Sequence, residues 1–77
     1  MQRFFFNIRS GDDYVADEDG EDCPTLQAAG TSALQLAKDL LKELEHVNRS
    51  PESTCFEITD GNGRLRLRIP FTLAMHP

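Results

Sequence analysis

The sequence has no tryptophan, one tyrosine, two cysteines and two histidines among its 77 residues. Each scarcity closes off a class of protein. Cys23 and Cys55 form neither a Cys-x-x-Cys pair nor the dense framework of a small secreted scaffold. His46 and His76 are far apart, and neither has a neighbour at ligand spacing, so no metal centre is expected from them. The aromatic run Phe4-Phe5-Phe6 is too short for a secretory hydrophobic segment. No apolar run approaches the ~20 residues of a membrane span. The expectation is a cytoplasmic protein with no membrane, metal or cofactor partner.

Charge is present but unevenly placed. The net charge is −5, which argues against nucleic acid or an anionic membrane as the main partner. Asp12, Asp13, Asp17, Glu18, Asp19, Glu21 and Asp22 account for seven of the 13 carboxylates. Arg64, Arg66 and Arg68 cluster towards the other end. A chain of this length holds one core, so residues 1–77 read as a single domain.

Periodicity divides the chain into five segments. Phe4, Phe6 and Ile8 share one face of a strand, and Phe5, Asn7 and Arg9 the other. A turn at Ser10–Asp13 leads to a short strand at Tyr14-Val15-Ala16, pairing Arg9 with Tyr14 and Ile8 with Val15. Asp17–Pro24 reads as an acidic loop. Thr25 is a suitable helix N-cap, with Glu21 and Asp22 upstream near the positive end of the helix dipole. From Leu26 to Val47 the apolar positions 26, 29, 33, 36, 37, 40, 44 and 47 fall within an arc of about 100°. Gly30 weakens that helix by roughly 1 kcal/mol relative to Ala. Asn48–Ser53, with Pro51, ends it.

Phe56 and Ile58 then alternate with Cys55, Glu57 and Thr59. After Asp60-Gly61-Asn62-Gly63, Leu65, Leu67, Ile69 and Phe71 alternate with Arg64, Arg66 and Arg68. Either Gly61-Asn62 or Asn62-Gly63 suits the centre of that turn. Pro70 marks an edge strand or a strand end. The predicted fold is α+β, in the order ββαββ, with a four-stranded antiparallel sheet and one long helix packed on one face. The predicted core is Phe4, Phe6, Ile8, Val15, Leu26, Leu36, Leu40, Leu44, Phe56, Ile58, Leu65, Leu67 and Ile69.

With these elements in place, the chain resembles a family of small uncharacterised α-proteobacterial proteins, common in rhizobia and their relatives. The resemblance rests on Arg3-Phe4-Phe5-Phe6-Asn7-Ile8-Arg9-Ser10-Gly11, on Asp17-Glu18-Asp19-Gly20 and on Pro24-Thr25-Leu26-Gln27-Ala28-Ala29. It continues with Asp60 to Arg64 and ends on Ile69-Pro70-Phe71. Gly30 departs from the long polar residue usual there. The resemblance implies a domain of unknown function and supplies no catalytic residue.

The chemical constellations are weak. A Ca²⁺ loop starting at Asp17 would place Asp17, Asp19 and Glu21 at ligand positions, but its sixth position is Asp22 where such loops need glycine. Cys23 follows an acidic loop, which disfavours a thiolate, and Cys55 reads as a half-buried strand residue. No nucleophile–base set or phosphate loop is present. Arg64, Arg66 and Arg68, with Phe5 and Arg9, offer a nucleic-acid contact surface or, more simply, a solvated face paired with Glu57.

Gly30, Leu34, Ala37 and Leu41 lie to one side of the core stripe. A helix over 26–47 spans roughly 33 Å, against about 23 Å for a seven-residue strand, so that flank either packs under a loop or the chain's own tail at Leu73 and Met75 or serves self-association. The sequence therefore favours a non-catalytic interaction module that forms a homodimer or binds another protein. The alternative is an antitoxin-like or regulatory nucleic-acid-associated protein, by fold-level analogy.

Overall fold

Alternation of aromatic and polar residues sets β1 (Gln2–Ser10), in which Phe4 and Phe6 are buried on one face. A computed structural model describes residues 1–46 and 51–75, and the side chains of all of these except 44–46. The chain reverses at Gly11 into β2 (Asp13–Val15), which pairs Arg9 with Tyr14 and Ile8 with Val15 as the turn length predicts. After the acidic loop comes β3 (Glu21–Cys23), then α1 (Leu26–His46), a 3₁₀ turn at Pro51–Ser53, β4 (Thr54–Asp60) and β5 (Leu65–Pro70). A second 3₁₀ turn, Phe71–Ala74, closes the described chain.

The fold is α+β, with one helix and an antiparallel sheet ordered β2-β1-β4-β5. The sheet has five strands rather than four. The fifth is β3, which pairs with the start of β1 through Gln2↔Cys23, Arg3↔Asp22 and Phe4↔Glu21. Glu21 and Asp22 are exposed and only Cys23 is buried, so this strand has no apolar alternation to announce it. Pairing with β1 and the Arg3–Asp22 ion pair at 3.2 Å hold it.

Thr25 caps the helix as expected. Its Oγ1 accepts the Ala28 amide at 3.0 Å, and its carbonyl accepts the Ala29 amide at 3.1 Å. Such a cap contributes about 1 kcal/mol. The face that α1 presents differs from the predicted one. Ala29, Gly30, Ala33 and Ala37 are buried, Leu34 and Leu41 pack against the core, and Leu36 is 37% exposed. On a wheel of 100° per residue, the helix is rolled by about 40° away from Leu36.

The cause is size. Ala and Gly let the helix axis approach the sheet closely, and a Cβ on Gly30 would lie 3.1 Å from Leu67 Cδ2. Counting apolar positions weighs Ala and Leu alike and so misplaces the centre of the stripe. Leu44, also predicted in the core, and Val47 lie outside the residues whose side chains are described.

Three further assignments change. Val15 shares the inner face of the sheet with Ile8 but is 63% exposed. It lies on the outermost strand, β2, whereas the helix bears on β5 at Leu67. Leu65 is exposed because of a β-bulge. Ile58 faces Leu67 but Thr59 faces Leu65, leaving Arg66 as the extra residue. That slip turns Leu65 to the outward side, level with Thr59.

Phe71, which follows the last strand, is in contrast almost fully buried. Its ring centroid is 5.0 Å from that of Phe56, which in turn meets Phe6 edge-on at 6.2 Å. Pairs of this kind contribute about 0.5–1.5 kcal/mol beyond area burial.

The helix roll can be tested by size. Ala33→Leu is expected to cost about 1–3 kcal/mol, the usual range for overpacking, and Leu36→Gln distinctly less. Urea unfolding of the two variants gives both values, and the opposite ranking would return Leu36 to the core.

Candidate functional site

The helix covers one face of the sheet, and the other face carries the polar side chains of β1, β4 and β5. At its centre is Glu57, buried although charged. Its Oε2 accepts Arg9 Nε at 2.8 Å, and Arg68 Nε lies 3.4 Å from the same oxygen. Strand register explains the meeting, because Glu57 is directly opposite Arg68 on β5 and opposite Asn7 on β1, one row from Arg9. The ion pair raises Arg9 further above its ordinary pKa, through the hydrogen bond first and the charge second. Arg9 also lies over the Tyr14 ring, 4.7 Å from its centroid, a favourable cation–π arrangement.

Beside this pair, Asn7 is buried, and all its polar atoms are engaged. Its Nδ2 donates to the Glu57 carbonyl at 2.8 Å and to Thr59 Oγ1 at 3.2 Å, while its Oδ1 accepts the Asp17 amide at 2.9 Å. Nothing in the sequence distinguishes Asn7 from an ordinary solvent-facing strand residue. Its role appears only when the loop at Asp17 folds back onto it.

The acidic stretch is organised by two of its members. Asp17 Oδ2 accepts the Phe6 amide at 3.0 Å, and Oδ1 accepts the amides of Asp19 and Gly20, each at 3.2 Å. Asp22 pairs with Arg3, whose Nη1 also donates to the Asp19 carbonyl at 2.7 Å. Gly20 has φ +73° and packs so closely that a Cβ would lie 2.9 Å from Phe5 Cε2 and 3.0 Å from the Phe4 carbonyl. Among the described residues, no group of three or more His, Cys, Asp or Glu side chains is placed to hold a metal ion.

The second Asp-x-x-Gly repeats the device. Asp60 Oδ1 accepts the amides of Asn62 at 2.9 Å and Arg64 at 3.1 Å. The Gly63 amide donates to the Asp60 carbonyl at 3.0 Å, making Gly61 and Asn62 the central residues, and Gly63 takes φ +79°. Asp60 Oδ2 reaches Arg66 Nη1 at 3.3 Å. Of the three clustered arginines, Arg66 and Arg68 thus each meet a carboxylate, and Arg64 is exposed.

Both cysteines are free thiols. Burial raises the Cys23 pKa, and Glu21 and Asp22 raise it further. Cys55 is also raised, by burial and then Glu57, with Arg68 and Arg9 opposing. Neither has the lowered pKa of a reactive thiolate. The side chains of His46 and His76 lie outside the described residues.

The helix flank picked out for self-association does not form an open face. Gly30 and Ala37 are buried, and Leu34 and Leu41 are half-buried against the chain's own core. The roll that exposes Leu36 turns this flank inward.

A family model described as a domain of unknown function (DUF6894) matches residues 3–72. The chain belongs to this family. No curated protein and no solved structure matches it. The matched stretch of the DUF6894 domain takes in both carboxylate turns, the Glu57 cluster and Phe71, and stops before Leu73 and Met75. Among the described residues, no helix is long and apolar enough to cross a membrane.

Two predictions follow from the carboxylate turns. Asp17 titrates below its ordinary 3.8: burial pushes it up, and the bonds from Phe6, Gly20 and Asp19 together outweigh that. Asp60 is also lowered, by the Arg64 amide first, against its partial burial, and then by Asn62 and Arg66. A carboxyl with a depressed folded pKa contributes stability that is fully present above its unfolded pKa, and that contribution is lost as pH falls through the folded pKa. Asp17→Asn should cost about 1–3 kcal/mol at neutral pH by leaving a backbone donor unpaired. It should also flatten the loss of stability below about pH 4, as urea unfolding across that range would show. Gly20→Ala should likewise cost about 1–3 kcal/mol. Gly11→Ala also has positive φ but meets nothing within 4 Å, and should cost less in the same assay.

Proposed function

We propose that this domain is a non-catalytic cytoplasmic protein-interaction module that self-associates. The observation behind this reading is the set of large apolar side chains left exposed on the helix and the C-terminal turn. The turn Phe71–Ala74 inserts Phe71 into the core yet leaves Leu73 54% exposed, and Met75 beside it is 48% exposed. Leu36 on α1 is 37% exposed. Single exposed apolar side chains need no explanation. A domain this small, however, has few large apolar residues to spare, and a second copy would bury those that its own sheet does not.

A two-fold dimer presents the same patch from both copies, so one substitution changes both sides. The nucleic-acid alternative draws on Arg64, Arg66 and Arg68. It is weakened by the carboxylates already beside two of them.

Light scattering and sedimentation of the wild-type chain at high micromolar concentration should give a dimer mass. The double variant Leu73→Glu/Met75→Glu should be monomeric with an unchanged circular dichroism spectrum. A monomeric wild type at that concentration would end this reading.

A further inference from the structure

The sheet has two edges of opposite character. On one side β2 and β3 are three residues each, carry Asp13, Glu21 and Asp22, and are separated by the Asp17 loop. On the other side β5 is a terminal strand of six residues, Leu65–Pro70, with Arg66 and Arg68 along it and Arg64 just before it. A terminal strand presents backbone N–H and C=O groups that a further strand could pair.

Two features bear on what that strand would be. The chain carries −5 overall, yet β5 and the residue before it carry three arginines and no carboxylate. The β-bulge also brings Leu65 to the arginine-bearing side, where it is 46% exposed. An apolar side chain set among cations is suited to a segment that alternates acidic and apolar residues. A second β5 is a poor match, because antiparallel pairing of two such edges would set arginine against arginine. The short, interrupted β2/β3 edge of another copy offers little continuous backbone.

The geometry points to β5 as a docking edge for an acidic extended segment of another protein, added to the sheet as a further strand. Its carboxylates would lie first beside the exposed Arg64 and then beside Arg66 and Arg68, which they would share with Asp60 and Glu57, and an apolar side chain would cover Leu65. Main-chain hydrogen bonds supply affinity in this mode, and the alternating side chains supply selectivity. Pro70 removes one donor at the end of the edge, which sets the length of the pairing. This edge ends where the C-terminal turn begins, and the docking does not depend on self-association.

The test is an amide NMR titration of the full chain with a seven-residue peptide alternating glutamate and valine. Shifts confined to the amides around residues 64–70, with affinity falling at least about tenfold between low and high salt, are the expected result. The same peptide N-methylated at alternate backbone nitrogens should fail to bind, as should a peptide with lysine in place of glutamate. Arg64→Glu/Arg68→Glu should reverse the preference between the two charged peptides. If that variant does not fold, the peptide controls on the wild type still decide.

Equal binding of the N-methylated peptide would overturn strand addition. Tighter binding of single-stranded oligothymidine to the same amides would overturn the choice of protein as partner. Shifts at β5 that grow with protein concentration alone would make a second copy the occupant. No shift at millimolar peptide would remove the proposal altogether.

Discussion

The hydrogen bond from the Phe6 amide to Asp17 closes the one gap in the ladder of β1. On its β4 side that strand is paired continuously from Phe4 to Ser10. On the other side it meets two short strands, one against residues 8–10 and one against residues 2–4. Between them the carboxylate of Asp17 does what a strand carbonyl would do. Asn7 closes the same gap from within, accepting the Asp17 amide and donating across to β4. Once this junction holds, the chain is aimed along β3, Cys23 is buried and Thr25 arrives where a helix can start. An unpaired amide at this point would cost about 1–3 kcal/mol, more than the roughly 0.5–1.5 kcal/mol that a typical hydrogen bond contributes net.

Charge is put to separate uses in separate places. Asp17 and Asp60 order turns by accepting backbone amides. Asp22 holds the start of β1 through Arg3, and Glu57 gathers Arg9 and Arg68 on the outer face. Exposed ion pairs such as Arg3–Asp22 contribute little, around 0–1 kcal/mol. Glu57 differs because it is buried. Removing one of its partners would leave a charge poorly solvated, although the pair itself is weak testimony to net stability. The acidic stretch, which as sequence suggested a cation loop or a solvated lead-in, is largely a framework for a strand junction.

How far the sequence revealed this architecture depended on which signal each element carries. The strands β1, β2 and β4 and the helix start at Leu26 were legible because alternation, turn length and an N-cap are local properties. The strand β3 was not, since exposed Glu21 and Asp22 look like loop until β1 is beside them. Leu65 was misplaced because a bulge shifts register without changing composition. Leu36 was misplaced, and the flank of Gly30, Leu34, Ala37 and Leu41 was left open between self-association and packing within the chain, because periodicity records which residues are apolar but not how closely two backbones approach. Phe71 continued the apolar alternation of the last strand but was left out of the predicted core, because it lies beyond Pro70 and its burial depends on the turn that follows. Asn7 carried no signal at all.

The alanine stripe has one more consequence. With Ala29, Ala33 and Ala37 against the sheet, the molecule is only 16 Å across its shortest axis, against 35 and 27 Å along the others. A slab this thin is one helix laid on one sheet and has no inner shell that could stay dry while an outer one loosens. Lifting α1 by even a water diameter would wet Phe4, Ile58 and Phe71 together. The domain therefore has few partly open states to visit. Protection of its core amides from exchange should collapse onto a single free energy, that of unfolding the whole chain.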